Sequence, residues 1–141
     1  MLHLIKLSVG PKDVEELARF QARRLKDHGR LWHDTRMMPK RAAEILEGGS
    51  IYWIVAGVLQ VRQRIMAIEP VKRPDGTAAT HLILEPPLVA VQARPMKPFQ
   101  GWRYLAADSA PPDLGAGVAK AVGLDKLPPK LRRELMALGL V

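Results

Sequence analysis

A chain of 141 residues, 48% hydrophobic and 26% charged, has the size and composition of one globular domain spanning residues 1–141. Its formal net charge of +8 is unusual at this size and points to a polyanionic partner, nucleic acid or anionic lipid, ahead of a merely solvated surface. With no cysteine, disulfides, thiolate metal sites and a cysteine nucleophile are excluded.

The opening MLHLIKLSVG carries one lysine in a short apolar run and has no small-residue cleavage pattern. It reads as a strand closed by Gly10-Pro11, not as a signal peptide. No apolar run approaches the ~20 residues needed to span a bilayer, so a soluble, cytoplasmic protein is expected. Asp13 with Glu16 three residues on starts a helix that Gly29 stops after His28. At ~100° per residue, Val14, Leu17, Ala18 and Leu25 share one helix face, and Arg19, Arg23 and Lys26 form a basic stripe on the opposite one. Taken by itself, that stripe is a solvated face.

The segment MPKRAAEILEGG predicts a second, short helix, with Pro39 in its first turn and Gly48-Gly49 at its end. Next, SIYWIVAGVLQVRQRIMAIEPV is rich in β-branched and aromatic residues but too long for one strand, and Gly57 divides or bends it. Its alternation holds only if the phase slips near Arg64, as at a β-bulge. Lys72–Thr77 forms a hairpin turn with Asp75-Gly76 at the tip. THLILE and LVAVQAR are expected as two strands separated by Pro86-Pro87, and GWRYLA as the last strand. From residue 109 the chain becomes a loop and short helical pieces, with Leu131, Leu135 and Leu138 on one face of the second. The expected fold is α+β. A small, curled, mostly antiparallel sheet forms a barrel-like core over residues 1–108, with two helices near the N-terminus and a helical cap over residues 109–141.

The segments TRMMPKRAAEILEGGSIYWIVAGVLQVRQRI and RPMKPFQGWRYL, with the start LHLIKLSVG, resemble the bacterial family known as domain of unknown function 1489 over nearly the whole chain. That resemblance implies no particular activity. In architecture, a helix ending in glycine and feeding a run of sheet, as in KRAAEILEGGSIYWIV, is similar to the entry of PUA-like barrels, including the ASCH and EVE groups. That likeness implies RNA binding or recognition of modified bases. Some ASCH-type proteins are amidohydrolases that use a lysine and a threonine close in sequence plus a glutamate. Here Ser50-Ile51-Tyr52 follows the double glycine, so the Lys-Thr pair is missing.

The stretch RPMKPFQGWRYL gathers three of the chain's seven aromatic residues beside three cations and no acid. Single-stranded nucleic acid is held by cationic grooves and by flat faces on which bases stack. Arg94, Lys97 and Arg103 supply the first feature, and Phe99, Trp102 and Tyr104 the second. Alternation puts Trp102 and Tyr104 on one face with Arg103 on the other, and allows at most one of Tyr52 and Trp53 to be exposed. In QVRQR, Gln60, Arg62 and Arg64 are expected to form an outward polar face able to meet phosphates. The site read from these residues joins Arg62, Arg64, Arg94, Lys97 and Arg103 as phosphate contacts to Trp102, Trp53 and Tyr104 as base contacts.

The histidines His3, His28, His33 and His81 lack the spacing of a metal site, so no metal or other cofactor is expected. No phosphate-cradling GxxxxGK, GxGxxG or GxSxG elbow occurs. Trp32-His33-Asp34-Thr35-Arg36 places an imidazole, a carboxylate and a hydroxyl in a row, a pattern of polar loops and strand edges rather than of a nucleophile. The leading expectation is a non-catalytic domain that binds nucleic acid, with RNA favoured, or a modified nucleoside. One alternative is a small hydrolase of modified nucleosides built from Lys40, Thr35 and Glu44. The other is a protein–protein adaptor that uses the proline-rich PMKPFQGW edge.

Overall fold

The computed structural model of the chain describes residues 1–114. In chain order these form β1 (Leu2–Leu7), α1 (Val14–His28), β2 (Trp32–Thr35), α2 (Ala42–Ile45), β3 (Ser50–Val55), β4 (Val58–Lys72), β5 (Ala78–Pro95) and β6 (Trp102–Ala106). All six strands belong to one sheet in the order β2-β5-β4-β3-β1-β6, in which β1 runs parallel to β3 and the remaining pairs are antiparallel. The fold is α+β with a mixed, mostly antiparallel sheet. Its end strands, β2 and β6, do not pair with each other.

Local chemistry sets the boundaries. The Asp13 side chain accepts from the Glu16 N–H at 2.7 Å and caps α1, and Gly29, at φ 74°, closes it by donating to the Leu25 carbonyl. Between β3 and β4, Ala56 and Gly57 take φ of 51° and 78°, as a two-residue hairpin with matched twist requires.

The sheet is strongly curled. Neighbouring strands lie about 4.8 Å apart, so a flat sheet would hold β2 about 14 Å from β3 and about 24 Å from β6. Yet the His33 ring on β2 sits edge-on to Trp53 on β3 with centroids 5.0 Å apart. Trp102 on β6 donates its indole N–H to the carbonyl of Met37, just beyond β2, at 3.1 Å. Register shifts between β4 and β5 at Leu59/Val61, Arg62/Arg64 and Ile65/Ala67 supply the local twist for this curl.

The inner face packs Leu4, Ile51, Trp53, Val55, Ile65 and Leu82 against Leu17 of α1 and Ile45 of α2. The outer face has a smaller cluster of Ile5, Tyr52, Ile54, Leu59 and Val91, covered by Met96, Phe99, Leu105 and Ala110. Because both faces are covered, the neighbours Tyr52 and Trp53 are both buried.

One expected boundary is absent. The two strands anticipated around Pro86-Pro87 are a single strand, β5. Arg62 pairs with Val89 and Arg64 with Glu85, so β5 carries two extra residues there. Prolines, which have no N–H to give, fit a bulge that asks for no ladder bond. The expected cap helices, with Leu131, Leu135 and Leu138, lie outside the described residues.

At the entry to β3 the backbone passes closest to its surroundings. A Cβ on Gly49 would lie 2.1 Å from the Leu2 carbonyl oxygen and 2.6 Å from that of Ile45. Neither backbone can yield without breaking the sheet, so Gly49→Ala is expected to cost at least ~2 kcal/mol of stability, measured by urea unfolding. Gly76→Ala, at an open turn, has no such clash and should cost less, through its positive φ alone.

Candidate functional site

Among the described residues the curl leaves a cavity of about 200 Å³ between α1 and the inner face. From α1 it receives Leu17, Phe20, Gln21 and Arg24, a stripe at i, i+3, i+4 and i+7. Ser8, Val9 and Pro11 come from the connection between β1 and α1, Trp32 and His33 from β2, and Trp53 from β3.

Its interior is aromatic and polar but uncharged. Trp53 is buried and its indole N–H points at Gln63 Oε1, 3.3 Å away. Gln63, fully buried on β4, forms two reciprocal hydrogen bonds with Gln21, of 2.8 and 2.9 Å. His33 meets Trp53 edge-on, and its Nε2 is buried with no hydrogen-bond partner. Burial holds the His33 pKa down at about 4; the positive charges of Lys6 and Arg24 push the same way and Asp34 opposes them. The ring is therefore neutral at physiological pH.

The mouth has a different character. Phe20 is 47% exposed there. Arg24 donates to the Trp32 carbonyl at 3.0 Å and lies 5.7 Å from the centre of that indole. Trp32 stacks on His81 with centroids 5.6 Å apart, and Asp34 links His81 to Arg73. The Asp34 carboxyl is held below its usual range, chiefly by the hydrogen bond from Arg73. Among the described residues no three metal-ligating side chains converge. An aromatic-walled hollow with a few fixed, uncharged polar groups suits a flat heterocycle, and its size suits one ring system more than a drug-sized ligand.

The residues singled out from sequence are divided between the two faces. Trp53 lies in the cavity wall. Trp102 and Tyr104 share the inner face, half-buried and edge-on at 4.9 Å, and the Tyr104 hydroxyl accepts from the Arg41 N–H at 3.1 Å. They brace the segment between β2 and α2 and do not line the cavity. On the outer side, Arg62 is fixed by Asp113 through two bonds of 2.7 Å and by the Ser50 hydroxyl at 2.9 Å. Arg94 donates to the Ser109 carbonyl, Arg103 lies 4.1 Å over the Phe99 ring, and Arg64 and Lys97 are exposed. Gln60 does not join the polar face expected for QVRQR. It sits buried at the bulge where Leu59 and Val61 take successive partners on β3, and it donates to the Val55 carbonyl. The residues of the hydrolase alternative are scattered in role: Thr35 is buried opposite Thr80, Lys40 is exposed, and Glu44 is paired with Arg41. No hydrogen bond or ion pair among the described residues joins the three.

Phe20, Gln21, Arg24, Trp32 and His33 complete the cavity, and sequence reasoning did not select them. Their signal was present as the stripe of Gln21 and Arg24 beside Leu17, and as alternation within WHDT.

Comparison with known families matches residues 4–141 to the family described as protein of unknown function (DUF1489). The chain belongs to this family. Among curated proteins and among solved structures, no match is found. Membership thus agrees with the sequence motifs and leaves the cavity as the guide to function.

The neutral His33 makes stability depend on pH. In the unfolded chain it binds a proton near pH 6.5, whereas in the fold it does so only near pH 4. The unfolded state therefore gains protons first, and this part of the stability, full above pH ~6.5, is lost as the pH falls toward 4. The loss should reach at most about 3 kcal/mol. Urea midpoints from pH 8 to 4 check it: the wild-type decline should exceed that of His33→Leu, and parallel curves would remove His33 as the cause.

Proposed function

We propose that the chain is a non-catalytic, cytoplasmic nucleic-acid-binding domain, with RNA its favoured partner, that takes one base, plain or modified, into the cavity beneath α1. The observation that carries this reading is the cavity itself, with Trp53 in its wall, uncharged Gln21 and His33 inside, and Arg24 at its mouth. Proteins that read single-stranded RNA combine these features: an aromatic surface for the ring, hydrogen-bonding groups for its edge, and cations for the backbone. The net charge of +8 supplies the long-range attraction. On α1, Arg23 and Lys26 make no ion pair among the described residues and flank the mouth residue Arg24 in sequence. On the outer face, Arg64, Lys97 and Arg103 are the cations left to meet phosphate, since Arg62 is held by Asp113 and Arg94 by Ser109.

Kinship with PUA-like barrels belongs to the same proposal. It is supported by a short helix that feeds a curled sheet through Gly48-Gly49, and by a second helix lying over the cavity.

Labelled single-stranded RNA, single-stranded DNA and duplex DNA, titrated at low and high salt, test the reading. Single-stranded RNA should bind best at low salt, and log K should fall against log salt by about 0.7 per phosphate contacted. Replacing Arg19, Arg23 and Lys26 together by glutamine should flatten that slope by up to about two units without lowering the melting temperature. Phe20→Ala at the exposed mouth should weaken binding by about tenfold at unchanged stability. If no nucleic acid binds at low salt, the reading fails.

A further inference from the structure

Gln63 stands where an apolar residue belongs. On β4 it alternates with Val61 and Ile65 toward the inner core and is fully buried, and its ladder partner is Ile51. An amide in that position stabilises the core less than a methionine or leucine of similar volume, unless every polar atom is used. Here the polar atoms are used in one direction only. The Trp53 indole N–H is a donor with no acceptor function, so the Gln63 atom that faces it is the oxygen. With that oxygen fixed, Gln63 Nε2 donates to Gln21 Oε1 at 2.9 Å, and Gln21 Nε2 donates back to Gln63 Oε1 at 2.8 Å. A flip of the Gln21 amide alone would set N–H against N–H and oxygen against oxygen. The orientation of a residue in the cavity wall thus follows, through two links, from an indole that cannot turn over.

We infer that Gln21 is the residue that selects which base enters the cavity, and that Gln63, held by Trp53, is a positioning residue that fixes the Gln21 amide one way round. The inference rests on the reading of the cavity as a base site and names its selectivity. After the reciprocal pair is made, the Gln21 amide keeps one N–H and one oxygen lone pair. Their places are fixed, and the His33 ring lines the same wall. A base edge whose donors and acceptors match is accepted. One with the reverse pattern leaves buried groups unpaired, which is worth about tenfold or more in affinity. A freely flipping amide would accept both patterns.

The test uses the full chain labelled with 15N and the four ribonucleosides as probes. In the free protein, the Gln21 side-chain NH2 and the Trp53 indole N–H should exchange slowly. Gln63→Met should shift the indole resonance and release the Gln21 NH2 to fast exchange, with the chain still folding cooperatively. In titrations, wild type should prefer one nucleoside by about tenfold or more over the poorest. Gln63→Met should compress that spread to about threefold or less, mainly by improving the poorest ligands. If Gln63→Met does not fold, Gln21→Met should also compress the spread, here by weakening the preferred nucleoside toward the poorest. A variant that keeps the wild-type order and spread overturns the selecting role while the base site stands. If no nucleoside moves any cavity resonance of wild type, the base site fails and the selectivity inference falls with it, even where the amide exchange behaves as described.

Discussion

The curl of the six-stranded sheet governs everything else in the described fold. A strand order of β2-β5-β4-β3-β1-β6 would, if flat, leave both end strands far apart and the inner face too wide for two small helices to cover. Three register shifts along the β4–β5 pair bend the sheet, and the long β5 absorbs two prolines in the process. Contact is made through side chains and not through a closing ladder: His33 against Trp53, the Trp102 indole on the Met37 carbonyl, and the Arg41 N–H on Tyr104. Such a closure leaves a gap where α1 crosses, and the cavity is that gap. Trp102 and Tyr104 matter to it at a distance, since they hold the segment that follows β2 and so help to set where His33 stands.

The cavity's polarity carries a cost that packing alone does not explain. Gln63, Gln21 and the unpartnered nitrogen of His33 all sit on or beside an apolar core where leucine or methionine would pack without penalty. The network is satisfied between the two glutamines and Trp53, and beside it the buried Nε2 of His33 has no hydrogen-bond partner. A fully satisfied buried network stiffens a core, and a buried nitrogen left without a partner beside it is a cost that the packing of the fold has to carry. On the outer face the polar cluster is closed by contrast: Arg62, Asp113 and the Ser50 hydroxyl satisfy one another, and His3 Nδ1 accepts from the Ser50 N–H. The two faces thus share a chemistry of buried polar groups but differ in what remains unused.

Much of the secondary structure was legible because it rests on short-range rules. Asp13 with Glu16 and Gly29 bounded α1, Gly57 divided β3 from β4, and Asp75-Gly76 turned β4 into β5. The slip expected near Arg64 falls just beyond it, between Ile65 and Ala67, where one extra residue on β4 moves the later side chains to the other face. Long-range consequences were not legible in the same way. Pro86-Pro87 reads as a break in any local view, and only the partner strand shows it to be a bulge within β5. Clustered aromatics and cations drew attention to RPMKPFQGWRYL, yet alternation and the 96–101 loop distribute them over two faces: Trp102 and Tyr104 inward, Phe99 under Arg103 outward. The cavity itself is built from five separate segments, with only Trp53 among the residues that composition had marked. Gln21 and Arg24 were hidden because a helix stripe is read by its apolar members, and polar residues interleaved with them pass for solvent.

Charge and cavity divide the work of binding between them in the proposed function. Exposed cations on α1 and on the outer face act at long range, without regard to sequence, and weaken with salt. Among the residues that line the cavity only Arg24 carries charge, and it is turned to the Trp32 carbonyl at the rim, while burial keeps His33 neutral against the pull of Asp34. A cationic interior would bind any anion that fits, phosphate included, and would not distinguish one ring from another. An interior of amides, an imidazole and an indole discriminates by donor and acceptor positions instead, which is the one property in which bases differ. Keeping cations out of the hollow while surrounding it with them separates affinity from selectivity, and the low pKa of His33 is the part of that separation built into the fold.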